Sequence, residues 1–76
     1  MRNNYLICHE EYQAFLSMLY AYRQAGVYLT LSGKPASPKE VARVCTARED
    51  SCYMGDYISD EQGKLREIRF DKIKSE

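Results

Sequence analysis

Gly26 divides two stretches whose hydrophobic periods differ, and a chain that changes period across one residue must turn there. Before it, Tyr12, Phe15, Leu16, Leu19 and Tyr22 recur at helical spacing. After it, Val27-Tyr28-Leu29-Thr30-Leu31 alternates with period two in β-forming residues. The first run predicts a helix over residues 9–25, with Glu10 and Glu11 suited to its positive N-terminal end and Gly26 able to take the left-handed cap. The second predicts a strand over 27–31 with Val27, Leu29 and Leu31 turned inward. Ser32-Gly33-Lys34-Pro35 then breaks the alternation.

Ser37-Pro38-Lys39-Glu40 reads as a capping box with proline at the first helical position. A second helix is therefore expected to near residue 48, with Val41, Val44 and Cys45 as its buried stripe. Asp60-Glu61-Gln62-Gly63 is a turn whose glycine suits a left-handed position, so 52–58 and 65–70 form a hairpin. With Ser59 paired to Lys64, Tyr53, Gly55, Tyr57, Ile68 and Phe70 share the core-facing side, and Asp56, Glu67 and Arg69 share the other. A right-handed crossover from 27–31 through the second helix would make 52–58 parallel to that strand. The expected fold is α+β, a single αβαββ domain over 1–76 with two helices packed on one face of a small mixed sheet that ends in a β-hairpin. Residues 1–8 fit either a short strand at Tyr5-Leu6-Ile7 or a lead-in to the helix, and 74–76 fit a frayed tail.

A chain of 76 residues supports one modest core with little stability to spare. Eleven Lys/Arg balance eleven Asp/Glu, which removes the bulk attraction that drives most nucleic-acid binding. No run approaches ~18 consecutive apolar residues and no export signal opens the chain, so no membrane association is expected and the location expected is cytoplasmic. Cys8, Cys45 and Cys52 form an odd set without a CxxC pair, which predicts reduced cysteines; a Cys45–Cys52 bridge would require an oxidising compartment. A metal site joining His9 to the three thiols lacks the closely spaced ligand pairs of structural zinc. No metal and no cofactor are expected.

Catalytic motifs give no better footing. His9 is the one histidine, at a predicted helix start, with no nucleophile paired to it. Asp56 and Glu67, opposite one another in the expected register, have the makings of a general acid/base pair, but a solvated hairpin face beside Arg66 and Arg69 leaves such charges with ordinary chemistry. The chain contains no phosphate loop, GxSxG elbow, HExxH or EF-hand loop. An enzyme is not expected.

Ser37-Pro38-Lys39-Glu40-Val41-Ala42, followed by Gln62-Gly63-Lys64-Leu65, resembles the compact winged helix-turn-helix of excisionase and MerR-type proteins over about half the chain. The resemblance implies a recognition helix over 51–59 with Tyr53 and Tyr57 at helical spacing, a small wing, and a DNA-binding accessory role. Against it, residues 49–63 hold Glu49, Asp50, Asp56, Asp60 and Glu61 and no Lys or Arg, a surface that repels phosphate. Arg66, Arg69, Lys72 and Lys74 are interleaved with Glu67, Asp71 and Glu76, the pattern of a solvated face.

The first helix carries more apolar residues than one sheet face requires. Ala14, Met18, Tyr20, Ala21 and Ala25 flank its main stripe, while Gln13, Ser17 and Gln24 leave only a narrow polar strip. Surplus apolar surface with aromatic and Met residues marks contact sites. The function expected is a non-catalytic protein-binding or regulatory module that uses this flank toward a second copy or another protein. Asp56, Asp60 and Glu61 form the expected secondary, acidic patch for a basic partner.

Overall fold

The computed structural model of the protein describes residues 2–8, 10–46 and 52–73. In chain order it contains β1 (Arg2–Cys8), α1 (Tyr12–Gln24), β2 (Tyr28–Leu31), β3 (Lys34–Pro35), α2 (Pro38–Thr46), β4 (Cys52–Ser59) and β5 (Leu65–Lys72). Among the described residues these strands form one mixed sheet in the order β1-β4-β5-β2-β3, with the helices on one face. The fold is α+β, as the periodicity predicts, with two strands beyond those expected. β1 settles the open reading of residues 1–8, and β3 is the far edge. The predicted tail at 74–76, the helix end beyond Thr46 and His9 lie outside the described residues.

Local chemistry explains the element ends. The Glu11 carboxylate accepts the Ala14 N–H at 2.8 Å and caps α1, so the helix starts at Tyr12, where its hydrophobic pattern does and three residues after the predicted start at residue 9. At the other end Gly26 has φ +88°, its N–H donates to Arg23 O at 3.0 Å, and the Val27 N–H reaches Tyr22 O at 3.0 Å. That pair of bonds satisfies carbonyls a helix end leaves open. The capping box of α2 forms in both directions: the Glu40 N–H donates to Ser37 Oγ at 3.2 Å, and the Ser37 N–H donates to Glu40 Oε1 at 3.0 Å. Ser32 (φ 52°) and Gly33 (φ 83°) make the tight turn joining β2 to β3, a geometry that matches the twist of paired strands.

The hairpin keeps the predicted faces with a different register. Tyr57 lies opposite Ile68 and Gly55 opposite Phe70, two residues out of step with a Ser59–Lys64 pairing, and an irregularity at Ile58/Ser59 takes up one of the two, leaving Ser59 opposite Leu65. An even slip leaves every side chain on its own face. Tyr53, Gly55, Ile68 and Phe70 are accordingly buried and Tyr57 is half-buried.

The expected parallel crossover from β2 to β4 does not occur. β5 pairs in parallel with β2, and β4, antiparallel to β5, runs opposite to β2. The strand with the more buried inner face, carrying Ile68 and Phe70, takes the centre. β1 is antiparallel to β4 and therefore parallel to β2, so the β1-α1-β2 unit is split by the inserted hairpin.

Phe15 and Leu19 from α1, Val41, Ala42 and Cys45 from α2, and Ile7, Leu29, Tyr53, Ile68 and Phe70 from the sheet form a continuous core with Val27 and Ala36. Each fully buried large side chain contributes on the order of 2 kcal/mol by leaving water. Phe15 meets Phe70 edge-to-face at 6.1 Å. Gly55 leaves room for its neighbours: a Cβ there would lie 2.8 Å from Ile7 Cδ1 and 3.2 Å from Tyr57 Cε1, so the tip of Ile7 and the Tyr57 ring would have to shift.

The same register overturns the expectation of reduced cysteines. Cys8 lies opposite Cys52 at the end of the β1–β4 ladder, and the two form a disulfide with a Cα–Cα separation of 4.7 Å. Cys45 is the free, buried cysteine, so the Cys45–Cys52 alternative does not form either. Spacing along the chain carries no trace of this pairing, because strand order brings the two residues together. The disulfide also removes two of the thiols from the metal set considered with His9.

Candidate protein-contact surface

The residues of the expected helix flank fall into two groups. At ~100° per residue, Ala14, Met18, Ala21 and Ala25 line one side of α1. The three alanines are exposed and Met18 is half-buried against the core. Tyr20, also exposed, is about 160° around the helix from Met18 by the same spacing and belongs to the other side. The exposed part of the flank is thus a row of methyl groups with limited apolar area.

The acidic patch is likewise spread out. Asp56 sits within β4, opposite Arg69, and is only 7% exposed. Asp60 is engaged in the turn: its Oδ1 accepts the Gln62 N–H at 2.9 Å and the Lys64 N–H at 3.0 Å, while its Oδ2 accepts Arg66 Nε at 2.8 Å. The Lys64 amide first, then Arg66 and the Gln62 amide, hold its carboxyl below the usual carboxylate range. Glu61 is the exposed member.

The carboxylate pair considered for acid/base work is not assembled. Glu67 lies opposite Ile58 rather than Asp56, and its Oε2 accepts Arg69 Nε at 2.8 Å. Glu67, Arg69 and Asp71 line a shallow groove of about 480 Å³ with Tyr28, Thr30, Gly33 and Pro35 on the sheet face away from the helices. The groove combines a neutralised ion pair with a tyrosine and a buried threonine, and among its lining residues there is no paired base and nucleophile. The recognition helix implied by the winged-helix resemblance is also replaced, since Cys52–Ser59 is a strand. Periodicity alone does not separate these readings for a short apolar segment.

Burial raises the pKa of Tyr53, with Cys45 adding to the effect, and shifts two other groups further. It pushes the Cys45 thiol up to about 12, with Glu10 adding to the effect, so this cysteine is an inert core residue rather than a nucleophile. It also pushes Tyr57 up to about 12, with Tyr22, Tyr5 and Glu10 as further causes. Both are neutral when folded and ionise more readily when unfolded, at ordinary values of 9.0 and 10.0. Their contribution is therefore complete below those values and is lost as pH rises toward about 12. Urea unfolding at about pH 8 and about pH 11 should show a clear loss of stability on the alkaline side, reduced in a Cys45→Ala/Tyr57→Phe double variant. Equal loss in that variant would assign the alkaline effect to other groups.

Sequence reasoning missed the first strand as a surface. β1 is an edge of the sheet seven residues long. Leu6, on the open face, is 62% exposed and Tyr5, on the helix face, is 54% exposed. Tyr5 stacks edge-to-face on Tyr57 at 5.1 Å, and Tyr57 in turn meets Tyr22 at 6.2 Å, so the exposed ring is held in place. Beside Leu6 on the open face lie Met54 opposite it and the Cys8–Cys52 pair. The signal was present in Tyr5-Leu6-Ile7, but a short apolar run does not say whether its strand is central or at an edge.

Taken together, the elements define a small α+β domain with one long, unblunted sheet edge and no assembled catalytic constellation among the described residues. No family model, curated protein or solved structure matches the chain.

Proposed function

We propose that this protein is a non-catalytic association module whose contact surface is the β1 edge and the open sheet face beside it. The observation that carries this reading is the exposure of Leu6 and Tyr5 on a long edge strand. Native sheets ordinarily shield such edges with Lys, Pro, bulges or a covering element, and residues 3–8 contain neither Lys nor Pro. The helix flank at Ala14, Ala21 and Ala25 is the competing surface, and its small side chains offer less to bury. Among the described residues no helix is long and apolar enough to cross a membrane. The Cys8–Cys52 disulfide suits an oxidising compartment rather than the cytoplasm, and this reading places the module there.

The test is site-specific photocross-linking in cells that express the chain, with a benzophenone amino acid at position 6, 21 or 62. Adducts from position 6, and none from Gln62 on the distant turn, are expected. Adducts from position 21 alone would move the function to the helix flank, and no adducts at all would remove the association reading.

A further inference from the structure

We infer that the occupant of the β1 edge is a second copy of this chain, added antiparallel about a two-fold axis at Leu6; the inference rests on the association reading above. The directions of the backbone groups carry it. The Ile73 N–H donates to Cys52 O at 3.1 Å, so the backbone of Cys52 faces β5. Successive residues of a strand direct their N–H and C=O groups to opposite sides, so Tyr53, Gly55 and Tyr57 face β1 and engage Ile7, Tyr5 and Asn3, their register partners. The 4.7 Å Cα separation of Cys8 and Cys52 agrees, because opposed residues that exchange no hydrogen bonds lie ~4.5 Å apart and those that do lie ~5.5 Å apart. The N–H and C=O groups of Asn4, Leu6 and Cys8 therefore point away from β4. Among the described residues no strand pairs with that side.

A two-fold pairing at Leu6 uses every one of these groups. Leu6 lies opposite Leu6 of the second copy, Asn4 opposite Cys8 and Cys8 opposite Asn4, which makes about six new backbone hydrogen bonds. On the other face Tyr5 is brought opposite Ile7. The two exposed Leu6 side chains thus cover one another, while Tyr5 is set beside Ile7, itself already part of the core, and cross-strand pairs of this kind stabilise a sheet. Residues 3–8 carry no charge, so the symmetry sets no like charges face to face. The disulfide fixes β1 on β4 in advance and lowers the ordering cost of the new ladder.

Sedimentation equilibrium of the oxidised protein from micromolar to millimolar concentration tests the inference, together with amide hydrogen exchange. A reversible, salt-tolerant dimer is expected, with exchange at Leu6 and Asn4 slowing as concentration rises. Leu6→Lys and Leu6→Pro should each weaken the dimer at least about tenfold without disturbing the β4 ladder, because the Leu6 N–H is directed outward. Should the proline variant unfold, the lysine variant decides alone. A monomer at all concentrations overturns the inference, as does a dimer indifferent to Leu6→Lys but dissolved by Ala21→Glu. A monomer that still yields cross-links from position 6 to other proteins overturns self-pairing alone, while the absence of any adduct removes the association reading with it.

Discussion

Replacing Cys8 and Cys52 by alanine is expected to lower the unfolding free energy by about 4 kcal/mol, taking the chain-entropy cost of a loop of this length. The link spans a sequence separation of 44 residues, so its loss frees most of the chain in the unfolded state. For a domain of this size that is a large share of the whole, since ~0.05–0.15 kcal/mol per residue is typical. The corresponding fall in melting temperature is roughly 15–30 °C. The damage should be greatest at β1, whose backbone ladder is to β4, so its amides should lose protection first. Thiol titration gives an independent check: the oxidised protein should show no reactive thiol when folded and one, Cys45, when denatured. A double variant as stable as the parent, or three titratable thiols in protein purified without reductant, would refute the link.

The second large effect is expected at Phe70. This ring is fully buried in the central strand, meets Phe15 edge-to-face, and lies opposite Gly55 on one side and Leu31 on the other. Phe70→Ala should cost ~3–5 kcal/mol, and the upper part of that range applies because the cavity abuts a glycine with no side chain to relax into it. Phe70→Leu, which keeps most of the volume, should cost much less. Urea titration of both variants at constant m-value checks this. A Phe70→Ala cost near 1 kcal/mol would mean that α1 does not cover the sheet as described.

Local rules were legible in this sequence and non-local ones were not. The Gly26 cap, the Ser37–Glu40 box and the Asp60 turn each depend on residues within five positions of one another, and each forms as its chemistry predicts. The core-facing set Tyr53, Gly55, Tyr57, Ile68 and Phe70 was legible because alternation survives an even slip in register. Strand order was not, since either strand of a hairpin can lie beside β2 without altering the pattern along it. Two surprises follow from that one gap, since the Cys8–Cys52 pair and the edge position of Leu6 depend on which strand neighbours which. The placement of Asp56 opposite Arg69 has a separate cause, the register within the hairpin. The helix flank was legible as composition, but the division of Tyr20 from the alanine row follows from angle, and the small area of that row follows from side-chain size.

The two margins of the sheet are unlike. The far one is β3, only Lys34 and Pro35 long, where a strand too short to template a neighbour also carries a charge and a residue without an N–H. A sheet with two receptive margins can add copies end to end indefinitely, whereas one with a single receptive margin is finished after one addition. On the pairing proposed above, the short β3 would act as a terminator, limiting association through the sheet to a closed pair.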